Sequence, residues 1–207
     1  MTQQTLDYYA QNASAFANST LHIDMGEFYN AFLPHIPSAE GCPNGLKPHI
    51  LDAGCGSGRD ALYFKNLGYK VTAIDACAEL AEIASFHLEQ PVYVKTFKQI
   101  TDQNQYDGIW CCASLLHVVH RELPDRFTKL ANALKSNGVL YVSFKYGEGE
   151  RDINDRHYTN LTEESLEALI DAEPQLTLEK TWQSEDQRPE RKGEIWLNGL
   201  IRKQVKS

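Results

Sequence analysis

Five short apolar runs, HILDA, KVTAID, PVYVKTF, YDGIWCCA and VLYVSFK, recur between His49 and Lys145, and helix-patterned stretches lie among them. RDALYFKNLG and CAELAEIASFHLE follow the first two runs, and a third helical stretch spans about Leu123 to Lys135. Runs of strand length alternating with helices of about ten residues predict βαβ units, hence a parallel sheet covered by helices on both faces. Two further β-like runs, QLTLEKTWQ and EIWLNGLIRK, close the chain with no helix between them. They are expected to form a hairpin across Ser184 to Gly193 and to pair antiparallel at one edge. The predicted fold is therefore α/β: a doubly wound, Rossmann-like, mostly parallel sheet of seven strands.

Flanking signals fill in the order. Leu6 to Thr20 and MGEFYNAFLPHI read as two helices, the second stopped near Pro34, before the turn-rich connection SAEGCPNGLKP. SNG, with Asn137-Gly138, suits a left-handed helix C-cap. Thr162 is placed as the N-cap of a helix over TEESLEALIDA, with Ser165 as its box partner. At 207 residues the chain reads as one domain, divided into 1–45, a core at 46–145, and 146–207.

The first strand ends in DAGCGSG, where Gly54, Gly56 and Gly58 alternate just before a helix. Glycine tolerates positive φ and lets backbone approach a ligand closely. The helix start that follows presents free N–H groups and a positive dipole end. Asp75 ends the second strand, 17 positions beyond Gly58, where a carboxylate can accept both hydroxyls of a ribose. In open α/β sheets ligands bind outside the carboxyl ends of the strands, and both features lie there. Together they describe a nucleoside site. A ligand-free tight turn is the plainer alternative for the glycines taken alone.

A nicotinamide fingerprint is G-x-G-x-x-G; here the spacing is G-x-G-x-G preceded by Asp52. That pattern resembles the first motif of class I S-adenosylmethionine-dependent methyltransferases, and the resemblance extends from about Ile50 to Lys145. LDAGCGSGRDALYFKNLGYKVTAID is most similar to bacterial tellurite-resistance-type and small-molecule methyltransferases. The resemblance implies S-adenosyl-L-methionine as cofactor and methyl transfer to a small polar acceptor. It implies that Asp52, Gly54, Cys55, Gly56, Ser57 and Gly58 hold the methionine end and Asp75 the ribose. Ala76 lies beside the adenosine, and Cys112 near the methionine moiety. Relatives often carry an acid after the third strand to read adenine; KTFKQIT has none, leaving Thr96, Phe97 and Lys98 for that task. The N-terminal DYYAQNASAFA resembles a lid helix, with Tyr9 turned to the site.

Candidates for the chemistry sit after the fourth and fifth strands. SLLHVVH offers His117 and His120 at i, i+3 on one helix; His117 serves as a base or only packs against the sheet rim. No carboxylate or cysteine stands at ligand spacing with them, so no metal is expected. After the fifth strand comes the polar stretch FKYGEGERDINDRHYTN, where Lys145, Tyr146, Glu148, Arg151, Arg156 and Tyr158 can line an acceptor pocket, the two arginines suiting an anionic group; a solvated loop is the alternative. Arg59 in the first helical turn opposes the dipole, which points to contact with an acidic partner such as Asp52 or Asp75 or with an acceptor, unless the side chain is simply solvated.

The net charge of −8 disfavours binding to nucleic acid or an anionic membrane. No apolar run approaches the ~20 residues of a membrane span, and MTQQTLDYYAQNAS lacks the form of a signal peptide. Five cysteines without metal-ligand spacing suit a reducing cytoplasm. Oligomeric state is left open. A non-catalytic S-adenosylmethionine-binding module or regulatory subunit is the alternative to an enzyme.

Overall fold

The computed structural model describes residues 1–40, 46–188 and 191–205. Cys42, part of the expected SAEGCPNGLKP connection and part of the Ser184–Gly193 turn lie outside the described residues.

Two helices open the chain, α1 (Gln3–Thr20) and α2 (Gly26–Phe32), the second running into a single 3-10 turn at Leu33–His35. The core follows as β1 (His49–Ala53), α3 (Arg59–Asn66), β2 (Lys70–Asp75) and α4 (Ala78–Leu88). Next come β3 (Tyr93–Val94), β4 (Tyr106–Cys111), α5 (Leu123–Ala133) and β5 (Leu134–Lys145). The remainder is β6 (Glu150–Ile153), β7 (Arg156–Thr159), α6 (Glu163–Asp171), β8 (Leu176–Glu185) and β9 (Ile195–Lys203).

Seven strands form one sheet in the order β3-β2-β1-β4-β5-β9-β8. The first five run parallel, and β9 pairs antiparallel with both β5 and β8, so the closing hairpin supplies the antiparallel edge pair. Strand order reverses between β1 and β4, which opens the crevice at their carboxyl ends.

Alternation along each strand explains the two layers. Ile109 and Cys111 of β4 with Leu140, Val142 and Phe144 of β5 face α5 and α6, meeting Phe127, Leu130, Leu166 and Ile170. Trp110 and Tyr141 point to the other face, stacked with centroids 4.0 Å apart, where Phe28, Tyr29 and Phe32 of α2 and Phe64 of α3 cover them. The α6 start has the anticipated reciprocal cap: Thr162 Oγ1 accepts from Ser165 N at 3.3 Å, and Ser165 Oγ accepts from Thr162 N at 2.8 Å.

Several local expectations give way. The third strand shrinks to two exposed residues, because an edge position pairs it only with Ile74 and Asp75 of β2. Asn137 does take a left-handed φ of 64°, yet it lies within β5 rather than capping a helix, since α5 already ends at Ala133. The polar stretch after β5 contains a second sheet, the β6–β7 hairpin, where a loop is expected. No helix spans His117 and His120: they belong to separate 3-10 turns, Leu115–His117 and His120–Glu122. Among the described residues no helix is long and apolar enough to cross a membrane.

Candidate active site

The glycine turn is built by its neighbours. Gly54 N and Cys55 N both donate to the Ile74 carbonyl, at 2.8 and 3.0 Å, which docks the end of β1 on β2. Gly54 adopts φ 84°, and a Cβ there would stand 2.4 Å from the Cβ of Ser114. Ser114 Oγ donates to the Ala53 carbonyl at 2.7 Å, so the loops after β1 and β4 are clasped together and leave no space for a side chain. Asp75 completes the frame: its two oxygens accept from Gly56 N and Cys77 N, each at 2.8 Å. Burial raises the Asp75 carboxyl pKa, while these N–H donors act against that rise.

Two cavities flank this turn. One, of about 290 Å³, is lined by Asp75, Ala76 and Cys77 at the tip of β2 and by apolar Ile74, Leu80 and Phe97. Thr96 and Lys98 stand at its rim, and Phe97 is buried in its wall. The other, of about 160 Å³, reaches from Cys55, Ser57 and Arg59 across Cys112 and Ser143 to Lys145. Tyr9, Phe16, Gly54, Gly56, Ala113 and His117 line both.

Tyr9 and His117 form the centre of the shared wall. The His117 ring stands 2.7 Å from the His157 carbonyl through Nδ1 and 2.9 Å from the Tyr9 hydroxyl through Nε2. A carbonyl only accepts, so Nδ1 carries the proton and Nε2 accepts from Tyr9. Burial lowers the His117 pKa to about 4, and the charge of Arg156 adds to the lowering, against the bond to His157. The same burial raises the Tyr9 phenol.

Asp60 anchors the floor. It accepts from Arg59 at 2.6 and 2.9 Å, from the Tyr29 hydroxyl at 2.6 Å and from Trp110 Nε1 at 2.8 Å. Although the carboxyl is buried, the Arg59 charge and these donors hold its pKa below the usual value. Arg59 also donates to the Thr20 carbonyl at 3.1 Å, tying α1 to the glycine turn.

Comparisons with known proteins bear on what such a site belongs to. Residues 50–138 match a family model described as a methyltransferase domain. A ubiquinone biosynthesis O-methyltransferase of Xanthomonas campestris pv. campestris is 34% identical over 104 residues, 45% of this chain and 41% of that protein. Residues 50–138 therefore resemble a methyltransferase domain, over somewhat less than half of the chain.

A second ubiquinone biosynthesis O-methyltransferase, from Glaesserella parasuis, is 36% identical over 112 residues, 48% of this chain and 47% of that protein. The matches thus span under half the length of these curated relatives. Solved structures share the fold over nearly the whole chain. The 1,6-didemethyltoxoflavin-N1-methyltransferase of Burkholderia thailandensis, with S-adenosylhomocysteine bound, superposes with a TM-score of 0.64 at 24% identity, covering 97% of this chain and 91% of that one. The [4+2]-cyclase SpnF gives a TM-score of 0.73 at 15% identity, covering 99% and 97%. One fold hosts different chemistries, so the activity of this chain must be argued from its site.

Most of the residues singled out in the sequence gather at the two cavities. Ala76, Thr96, Phe97 and Asp75 are together in the larger; Cys55, Ser57, Arg59, Cys112 and Lys145 in the smaller; Tyr9, Gly54, Gly56 and His117 in both. Three stand outside. Asp52 is buried behind the turn, with Oδ2 lacking any hydrogen bond, and burial and the nearby Asp60 charge raise its pKa well above the usual value. It alternates with Leu51 and Ala53, so it points into the layer beneath α3 rather than to the crevice. Gly58 serves packing: at φ 80°, a Cβ would meet the Ala84 Cβ of α4 at 3.1 Å. Tyr146 is 39% exposed and lines neither cavity, because it follows inward-facing Lys145 on the strand. Arg59 does have an acidic partner, but it is the adjacent Asp60 rather than Asp52 or Asp75.

Other lining residues had no clear signal. Ala113 holds φ 48° without being glycine. Trp196 and Arg188 arrive on the closing hairpin, whereas Arg156 and Tyr158, expected in the polar stretch after the fifth strand, line the smaller cavity from β7.

Proposed function

We propose that this chain is an S-adenosylmethionine-dependent methyltransferase that acts on a small polar acceptor. The observation that carries the reading is the shared wall: a cavity suited to a nucleoside and a second, polar cavity meet at Tyr9, Gly54, Gly56 and His117. The larger cavity fits adenosine chemically, with one buried carboxylate at its edge and apolar walls for a base. When bound, S-adenosylmethionine supplies a methyl carbon already activated by its sulfonium charge.

What remains for the protein is alignment and exclusion of water. Asp75, preoriented by Gly56 N and Cys77 N, has lone pairs left for ribose hydroxyls. Ala76, Thr96 and Phe97 are the adenine side of that cavity. The backbone of Gly54 to Ser57, with Arg59 and Cys112, surrounds the passage toward the methionine end. Asp52 and Gly58 support this turn from behind.

His117 is better suited to position Tyr9 than to remove a proton. With a pKa of about 4 it would surrender any proton it took at neutral pH. Tyr9, held by that ring, then presents its phenol at the junction of the cavities. Lys145 contributes charge further out, paired with Glu194 and 5.5 Å from the rings of both Tyr158 and Trp196. A non-catalytic binding module has less support, since the smaller cavity contains Ser143, Lys145, Arg156 and Asn198 rather than an apolar plug. No nucleic-acid or membrane partner is proposed for so acidic a chain. Four cysteines are free among the described residues, which suits a cytoplasmic setting.

Calorimetric titration with S-adenosylmethionine, S-adenosylhomocysteine and NAD tests the cofactor assignment. Micromolar binding of the first two and none of NAD is expected; failure of both to bind would remove the methyltransferase reading.

A further inference from the structure

The cations around the smaller cavity are not equivalent. Arg59 is held by Asp60, Lys145 by Glu194, Arg188 by Asp186 at 2.5 Å, and Arg191 by Glu194 at 3.7 Å. Arg156 lines the same cavity, is only 7% exposed, and among the described residues has no carboxylate partner. Its Nε makes no hydrogen bond. Aromatic rings flank it instead: its guanidinium hydrogen-bonds the Tyr9 hydroxyl, and its carbon lies 4.3 Å from the Tyr8 centroid and 5.5 Å from that of Tyr158.

Burying a charge without a counter-charge is expensive, and native proteins usually pair such groups. Aromatic faces recover part of that cost. They also hold the planar guanidinium so that its unused donors, which lie in its own plane, remain available for a planar two-oxygen anion. The neighbouring charge of Lys145, which shares the Tyr158 ring, reinforces the same preference.

Resting on the methyltransferase reading, we infer that Arg156 is a specificity-determining residue that binds a carboxylate of the methyl acceptor. The acceptor is thus a small organic acid, oriented with its carboxylate on Arg156 and its nucleophilic atom toward Tyr9. A cavity of about 160 Å³ suits one ring, since about 150 Å³ admits benzene.

The test uses 15N-labelled protein saturated with S-adenosylhomocysteine and follows the Arg156 Nε–H resonance, assigned by its loss in Arg156→Lys. Benzoate, 2-hydroxybenzoate and nicotinate are titrated beside their amides. At least one acid should shift the resonance saturably while its amide does not. Arg156→Gln should weaken that acid about tenfold or more, the worth of a charge-assisted pair, without changing S-adenosylhomocysteine affinity. Shifts with no acid, equal binding of acid and amide, or undiminished acid binding by Arg156→Gln would overturn the inference. Were S-adenosylhomocysteine itself not to bind, the methyltransferase reading would fail separately, and the acid titrations of the free protein would still decide the role of Arg156.

Discussion

Acidification from pH 7 to pH 5 should remove stability through His117. Its ring is 3% exposed and is neutral in the folded chain, where burial lowers the pKa from 6.5 to about 4. Between those values the unfolded chain takes up a proton that the folded chain refuses. The stabilising contribution is therefore complete above pH 6.5 and is lost as the pH falls toward 4. At pH 5 the unfolded histidine is almost fully protonated and the folded one hardly at all. Linkage between the two pKa values then gives a loss of about 2 kcal/mol relative to pH 7. The groups facing the ring, Tyr9, Tyr158, Arg156 and His157, contribute no carboxylate that could retain the proton. Urea unfolding at pH 7 and pH 5 measures the loss. The comparison is with His117→Asn, which keeps a donor for the His157 carbonyl but cannot titrate. Wild type should lose about 2 kcal/mol more than the variant over that interval. Equal losses, or a His117 pKa above 6 by NMR titration, would refute the reasoning and reopen a role for this residue as a base.

Other perturbations have equally definite outcomes. Gly54→Ala places a Cβ 2.4 Å from that of Ser114 at φ 84°; it should cost about 2 kcal/mol or more in the urea midpoint. Asp75→Ala strands the N–H groups of Gly56 and Cys77 and removes the proposed acceptor for ribose hydroxyls. S-adenosylhomocysteine affinity, read by calorimetry, should fall about tenfold or more. Asp60→Ala leaves Arg59 buried without its partner, and Tyr29 and Trp110 without their acceptor. About 3 kcal/mol should be lost in thermal unfolding, with wild-type stability in that variant counting against the network.

The βαβ alternation, the antiparallel closing pair and the placement of the glycine turn beside Asp75 were all legible in the sequence. The reason is locality: period-2 and period-3.6 patterns report which face of an element is covered, and the tips of adjacent parallel strands are brought together by topology alone. The Thr162–Ser165 cap was legible for the same reason, since its partners are three residues apart. The β6–β7 hairpin was not, because all four residues of β6 are exposed and leave no alternating apolar signal.

Roles at the site divide along the same line. That Gly54 needs to be glycine is suggested by the motif, but the reason, a clasp with Ser114, joins loops 60 residues apart. Asp52 and Gly58 carry the motif as well as their neighbours do, and only the direction of each residue in the packed turn turns them away from the cavities. Tyr9 meets His117 across 108 residues, and Arg156 is buried against Tyr8 from the far end of the chain. Local pattern determined the scaffold and the cofactor-type turn. Long-range packing decided which polar groups are dehydrated and which are paired, because burial and charge pairing depend on neighbours that sequence order does not specify.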